Sequence, residues 1–415
     1  MSLQITLSCQ WGRAPIPASA TPQAGYLLVE ALAPASPATA MPLNLCFVLD
    51  RSGSMQGAKL ASMKAATRRV IELLRPHDVA AIVIFDDTVQ TLAPAAPVGD
   101  KAALLAAVDT ITEAGGTAMS LGMQAGYIEL QKHLGPDRIS RMVLLTDGQT
   151  WGDEPLCRDL AQEQGKAGVR ITALGLGAEW NEQLLDDIAA ASDGYSDYIA
   201  EPEQITSFFQ QAVEAAQATV ATDARLLLRF VRDVTPRAVY RVKPVIANLG
   251  YQPIGETVVA VRLGDLAGGQ PAAVVLDLIL PPRASGRFRL AQAELHLTPV
   301  DQTTEMVIKQ DVLLEVADQA GPESYNPTVM NLVERVTAFK LQTRALSEAA
   351  SGNVAGATQK LRAAATRLLD LGELELAEKT NQQAAALEQG QPLSAAAQKE
   401  LRYATRRLTQ RLEDE

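Results

Sequence analysis

The sequence predicts a multidomain protein: a doubly wound, Rossmann-like α/β domain inserted in or beside an antiparallel β-sandwich, followed by a C-terminal α-helical bundle. Three observations carry this. Near-continuous apolar runs at residues 44–49, 79–85 and 141–146 alternate with helical stretches, as strands buried on both faces of a parallel sheet do. After about Thr222 the helical period gives way to strands, several with period-two alternation, and beyond Asn326 it returns. The 415 residues suffice for two to three domains, and 47% of them are apolar, enough for sizeable cores.

In chain order, residues 3–11 alternate as Leu3, Ile5, Leu7, Cys9 and Trp11, which is a half-buried strand and not a signal peptide. A second strand follows at 26–32. Neither has a partner nearby in sequence, so both are expected to join the sandwich, making the α/β domain an insertion between its strands. In the insertion a strand at 44–49 leads to a helix at 57–74, with Leu60, Met63, Val70 and Leu74 roughly on one side. A strand at 79–85, helices at 102–111 and 118–134, and strands at 141–146, 169–176 and 195–199 complete it. The sandwich strands are read at 224–231, 238–246, 256–263, 272–280, 287–297 and 304–316, punctuated by Gly268-Gly269, Pro281-Pro282 and Gly286. Asn326 then reads as an N-cap with Pro327 at the first helical position, and Gly352, Gly372 and Gly390 as helix stops. That gives about four helices, read as a bundle packed on the sandwich and not as a peptide-binding solenoid. The domain bounds are 1–40 for the N-terminal strands, 42–220 for the α/β domain, 222–320 for the sandwich and 326–415 for the helices.

Composition narrows the function. The 48 acids outnumber the 37 bases, for a net charge of −11, which removes the usual electrostatic warrant for nucleic-acid binding. Cys9, Cys46 and Cys157 are far apart, as are His77, His133 and His296, so zinc scaffolds and disulfide frameworks are excluded and a Cys or His nucleophile is not expected. A metal, if bound, must be held by oxygen. No apolar run reaches about 18 residues, so no membrane span is expected, and the expected location is cytoplasmic.

The chemistry-bearing residues follow the first buried strand: Asp50-Arg51-Ser52-Gly53-Ser54. The carboxyl end of a parallel strand is where ligands bind, and alternate residues there carry one carboxylate and two hydroxyls. Gly53 is expected to supply an unusual backbone angle between them. N-capping is the alternative use of Asp and Ser, but it needs only one of the three. Gly115-Gly116-Thr117 places a hydroxyl on a glycine-rich loop, and Asp147-Gly148 follows the buried run at 142–146. Together, two carboxylates and three hydroxyls lie on three loops at one sheet edge. Such hard oxygen donors suit Mg²⁺ or Mn²⁺. Two charges just neutralise a divalent ion, leaving it able to accept an anionic oxygen from a partner's Asp or Glu.

DRSGS, the GGT loop and LLTDG, in this order, resemble the von Willebrand factor type A domain and its metal-ion-dependent adhesion site. All five signature positions are filled: Asp50, Ser52, Ser54, Thr117 and Asp147. The resemblance covers about residues 42–220, and the overall layout is similar to bacterial and inter-alpha-trypsin-inhibitor-heavy-chain-like proteins. It implies that Ser52 and Ser54 coordinate the metal directly and that Thr117 does so directly or through water. Asp50 and Asp147 act mainly through water or as acceptors behind the ligands. It also implies Mg²⁺ as the metal, with Mn²⁺ or Ca²⁺ as alternatives, and in some members a coupled shift of the last helix, here 203–220.

Other candidates carry less. Asp86 and Asp87 follow a strand near the same rim and read as loop or helix-end residues. The Gly175-Leu176-Gly177 turn lacks a third glycine, since position 180 is Trp, and no GxxxxGK[ST] is present. Ser52-Gly53-Ser54 does not match a nucleophile elbow. Trp151 is a contact candidate beside Asp147 if exposed. Arg402, Arg406, Arg407 and Arg411 read as a solvated helix face. The expected function is therefore non-enzymatic, metal-dependent protein interaction. The alternatives are an accessory, substrate-recruiting subunit of an ATPase or chelatase-like complex, and a metal-dependent hydrolase or phosphatase. The position two residues after Asp50, where a carboxylate would favour a phosphatase, is Ser52.

Overall fold

The computed structural model describes residues 4–35, 41–253 and 257–410. The expected strand positions Leu3 and Glu256, and the basic residue Arg411, lie outside the described residues. The chain divides into two units, Ser36–Val220 and the combination of Met1–Ala35 with Ala221–Glu415, so the α/β unit is spliced into the sequence of the other.

In the α/β unit the strand order is Val89–Pro97, Val79–Phe85, Leu43–Asp50, Ile139–Thr146, Arg170–Leu176, Tyr195–Ile199. The last five are mutually parallel. Leu43–Asp50, Val79–Phe85 and Ile139–Thr146 are buried at every position, which is why they read as unbroken apolar runs. Helices cover both faces. Phe47 stacks on Phe209 of the helix Ile205–Gln217, with ring centroids 5.8 Å apart. The adjacent Val48, which points to the opposite face, meets the helix Met119–Gln131, where a Cβ on Gly126 would come within 2.6 Å of its Cγ2. Glycine at 126 is thus what lets this helix lie against the sheet.

The strand Val89–Pro97 runs antiparallel to Val79–Phe85 at the sheet edge, so the sheet is not wholly parallel as its apolar runs suggested. It is mostly exposed and carries Pro94 and Pro97, so it shows neither an apolar run nor alternation. An edge strand tolerates this, because one row of its backbone groups needs no partner.

In the second unit, Thr6–Trp11 and Gln23–Leu32 pair with each other, and Gln23–Leu32 pairs along its length with Pro271–Leu280. The first sheet continues through Thr235–Lys243 to Ala247–Asn248. The second has the order Gln252–Pro253, Val258–Ala267, Thr219–Phe230, Gly286–Pro299, Met306–Ala317, Ile16–Pro17. Leu27, Leu226, Leu276, Leu295 and Leu314 fill the core shared by the sheets. The other face of the first sheet, including Leu28, Tyr240, Val242 and Val275, packs with Val329, Leu332, Val336 and Phe339 of the C-terminal helices. The strand Pro271–Leu280 therefore has apolar residues on both faces, which blurs its alternation.

Among the described residues four C-terminal helices follow: Pro327–Ala350, Val354–Asp370, Leu374–Glu388 and Ala395–Arg406. Asn326 caps the first, accepting the Val329 N–H at 3.3 Å, with Pro327 at the first helical position. Gly352, Gly372 and Gly390 sit at the helix ends with φ of 83°, 78° and 76°. Arg335 and Glu373 form a buried ion pair at 2.7 Å between two of these helices. Arg402, Arg406 and Arg407 are half-buried, so they do not form the fully solvated face that their spacing suggested.

Glu294 shows how charge is handled on the sandwich. It is buried on Gly286–Pro299 and gathers Arg229 Nε at 3.0 Å, Lys309 Nζ at 3.4 Å and His296 Nε2 at 3.5 Å. The hydrogen bond from Arg229, with that from Lys309, holds its carboxyl down to about 2. A depressed carboxyl contributes stability above its unfolded value of about 4.3, and that contribution is lost as pH falls through the folded value. Glu294→Gln is expected to lower unfolding stability at pH 7 by about 1 kcal/mol. Urea unfolding at pH 7, 4 and 2 should show the gap between the two proteins closing towards pH 2.

Candidate functional site

Asp50 ends its strand, and Thr146 ends the parallel strand beside it. The chain leaves Leu43–Asp50 to one side, for Val79–Phe85, and later returns on the other side as Ile139–Thr146. The carboxyl ends of these strands therefore flank the crevice where the strand order reverses. Asp50 is fully buried. Its Oδ1 accepts the Ser52 N–H at 2.8 Å and its Oδ2 accepts the Thr146 hydroxyl at 2.6 Å. Burial pushes the Asp50 carboxyl up to about 6, with those hydrogen bonds opposing the rise and the nearby Asp147 adding to it.

The Ser52 and Ser54 hydroxyls lie 3.1 Å apart, and Ser54 donates to Asp147 Oδ1 at 2.6 Å. Asp147 is also fully buried, and its Oδ2 is ion-paired with Lys59, the second residue of the helix Ala58–Leu73. A Cβ on Gly148 would lie 3.3 Å from Thr117 Oγ1 and 3.7 Å from Ser54 Oγ. Glycine at 148 leaves that wedge between the two hydroxyls open. All five residues expected from sequence thus meet at one rim.

Capping does not use these hydroxyls. Ser52 precedes the single 3-10 turn Gly53–Met55 and makes no side-chain cap bond, and the helix Ala58–Leu73 begins at Gly57 with none. The helix Met119–Gln131 also lacks a cap from its own leading residue. Its first N–H groups go instead to Thr150 Oγ1, at 3.3 Å from Met119 N, and Asp153 Oδ2, at 2.9 Å from Ser120 N. The Thr150 hydroxyl in turn bonds Asp153 and the Thr117 carbonyl. The Thr117 hydroxyl has no hydrogen-bond partner among the described residues.

Backbone bonds hold the loops together. Gly53 N donates to Gly115 O at 3.1 Å, Ala114 N to Arg51 O at 2.8 Å, and Ala118 N to Asp86 O at 2.8 Å. The left-handed glycine of this set is Gly115, with φ of 54°, and not Gly53 as the motif suggested. Gly53 instead brings its N–H against the Gly115 carbonyl. A side chain on Gly115 or Gly116 would run into the Asp87 carboxylate. Asp86 takes the Thr88 N–H at 2.6 Å and the Thr88 hydroxyl at 2.7 Å on one oxygen, and Arg51 at 2.7 Å on the other. Burial alone would raise its carboxyl; the bonds from Thr88 and Arg51 outweigh that and hold it low. Both its oxygens are engaged in shaping the rim.

Sequence reasoning missed Lys59, Thr146, Thr150 and Asp153. Thr150 and Asp153 had a local signal, a Thr and an Asp just ahead of a helix, but they serve a different helix from the one they precede. Trp151 is 82% exposed on the same loop. The Gly175 turn is occupied by protein: a Cβ there would fall inside the Trp180 ring, whose Nε1 donates to Gly177 O at 2.7 Å. Cys9, Cys46 and Cys157 are unpaired thiols, all pushed up by burial. Among the described residues no three His, Cys, Asp or Glu side chains gather as a metal cluster. No described helix is long and apolar enough to cross a membrane.

Residues 44–211 match the von Willebrand factor type A domain, and residues 327–411 match the Sll0103-like C-terminal alpha-helical domain. The chain is similar to protein sll0103 of Synechocystis sp., at 29% identity over 331 residues, 78% of each chain. It is also similar to inter-alpha-trypsin inhibitor heavy chain H1 of Mesocricetus auratus, at 28% identity over 45% of this chain and 22% of that one. A solved structure described as a von Willebrand factor type A protein from Catenulispora acidiphila shares the fold, with a TM-score of 0.76 at 18% identity over 96% of both chains.

Asp153→Ala is expected to free the Ser120 N–H and the Thr150 hydroxyl and to cost about 1–2 kcal/mol. Urea unfolding measures the loss. Hydrogen exchange should show faster exchange at Met119 and Ser120, with the strand Leu43–Asp50 unchanged.

Proposed function

We propose that this protein, in which residues 44–211 are a von Willebrand factor type A domain and residues 327–411 an Sll0103-like C-terminal alpha-helical domain, is a divalent-metal-dependent interaction module that takes an acidic side chain of a protein partner. One observation carries the reading. Three hydroxyls that no helix cap uses gather with a buried carboxylate at the switch point of the sheet.

The donor set fits a hard cation. Ser52, Ser54 and Thr117 would hold it through neutral oxygens, with Asp50 and Asp147 supplying the compensating charge. When bound, such an ion supplies a Lewis-acidic position that accepts a carboxylate oxygen. The protein's own groups prepare that position. Asp50 fixes the turn of Ser52 through its N–H, Thr146 orients Asp50, and Thr150 with Asp153 holds the Thr117 backbone in place. The Lys59 ammonium on Asp147 supports the same view, since it is a positive charge at the carboxylate where a cation belongs. Trp151, exposed beside this rim, offers an aromatic anchor of the kind that dominates interface energetics. We assign no enzymatic role to the site, because Ser54 donates to a carboxylate that is ion-paired with Lys59 and does not stand free as a base, and the Thr117 hydroxyl has no group beside it, among the described residues, to activate it.

Titration calorimetry of the purified chain with Mg²⁺ and Mn²⁺ tests the metal. Ser54→Ala and Asp147→Ala are each expected to weaken binding about tenfold or more. A pull-down from the native cell should capture a partner that is lost with chelator and with Asp147→Ala. Trp151→Ala should weaken capture by about 2 kcal/mol with metal affinity unchanged. Capture indifferent to chelator, or robust turnover of a phosphate or peptide substrate by the chain alone, would overturn the reading. Because Lys59 competes for Asp147, Lys59→Met is expected to raise divalent affinity about tenfold, and an unchanged or weaker affinity in the same calorimetry would count against that role.

A further inference from the structure

The strand Thr235–Lys243 and the helix Pro327–Ala350 border a cleft of about 440 Å³ in the sandwich unit, away from any residue of the metal rim in sequence. Its charges do not balance. Arg237 and Asp277 come from paired strands, and Arg237 Nε lies 2.9 Å from Asp277 Oδ1, so these two charges compensate each other. Lys340 and Arg344 are four residues apart on one face of the helix. Like charges at this spacing repel, and neither side chain has a carboxylate partner among the described residues. Lys340 sits over the Tyr240 ring, 5.5 Å from its centroid. Burial raises the Tyr240 phenol; the Arg344 charge is close enough to oppose that rise, and Asp277 adds to it.

A neutral donor stands beside them. Asn248 lies opposite Tyr240 on the neighbouring strand, and its Oδ1 takes the Gly250 N–H at 3.1 Å, which leaves its amide N–H groups free to donate. Tyr251, whose hydroxyl donates to Pro236 O at 3.1 Å, adds a partly exposed aromatic face. Two uncompensated cations beside amide donors, in a chain with a net charge of −11, complement a dianion.

We infer that this cleft binds a phosphomonoester, its phosphate held by Lys340, Arg344 and Asn248 and its organic part lying against Tyr251. The cleft is far larger than a phosphate group, so room remains for the esterified moiety.

The test is titration calorimetry on the full chain with chelator present, so that phosphate on a metal at the other site cannot contribute. The probes are adenosine 5′-monophosphate, adenosine, inorganic phosphate and a hexaglutamate peptide. The monophosphate is expected to bind and adenosine not to. Lys340→Gln with Arg344→Gln should weaken binding about tenfold or more. Inorganic phosphate binding as well as the monophosphate, with the same sensitivity to the double variant, supports the site with free phosphate as its occupant. Binding of the peptide without the monophosphate, absence of binding by either phosphate probe, or equal affinity in the double variant would overturn it. Arg344→Ala alters only one exposed side chain and keeps the test decisive if the double variant does not fold; it should still weaken the monophosphate several-fold.

Discussion

A carboxylate buried at the end of a β-strand must find hydrogen-bond donors within reach, and Asp50 finds them on its own turn and on the adjacent strand. One oxygen takes the N–H of its own turn at Ser52, the other the hydroxyl of Thr146. An unpaired carboxylate at this depth would cost several kcal/mol, so the two loops are bound to each other by necessity. The rest of the rim is built outward from that tie. The turn it creates sets Gly53 against the Gly115 carbonyl, which fixes the glycine loop, and the same turn brings Ser54 to Asp147. Three loops distant in sequence become one surface because a single buried acid must be satisfied from both sides.

What could be read in the sequence follows from how local each signal is. Asp50, Ser52 and Ser54 fall within five residues at the end of an apolar run, and Thr117 and Asp147 each sit in a short recognisable turn. Lys59 and Thr146 gain meaning only through space, Lys59 because the first turn of its helix brings it over Asp147, Thr146 because parallel pairing sets it beside Asp50. Thr150 and Asp153 mislead in the opposite direction. They precede the helix Glu154–Lys166, yet their oxygens serve the N-terminus of Met119–Gln131. Capping chemistry was legible there; the helix that receives it was not.

The same distinction runs through the fold. Strands buried on both faces announce themselves by composition, as Leu43–Asp50, Val79–Phe85 and Ile139–Thr146 do. Val89–Pro97 does not, since an edge strand exposed to solvent is free of that constraint. In the sandwich, Leu27 and Leu28 enter different cores although they are adjacent, so the strand Gln23–Leu32 is the hinge between the sheet–sheet layer and the sheet–helix layer. Charge is arranged differently in the two units. Around Asp147 and Asp50 two carboxylates face the single ammonium of Lys59, whereas around Lys340 and Arg344 a positive excess is left standing.

The interruption of the sandwich by the α/β unit also has a temporal meaning. Gln23–Leu32 pairs with Pro271–Leu280, which leaves the ribosome about 240 residues later. At about 5–20 residues per second that is roughly 12–50 s. Throughout that interval the long strand has only Thr6–Trp11 beside it, and a two-stranded ribbon is marginal in water. The α/β unit, whose strands all lie within one continuous stretch of chain, can fold in the meantime. Once folded it would hold its own entry and exit close, since Ile139 N donates to Pro42 O at 3.0 Å and Arg141 to the Thr219 hydroxyl at 3.2 Å on one strand, so the loop that the late partner must close would be far shorter than its residue count.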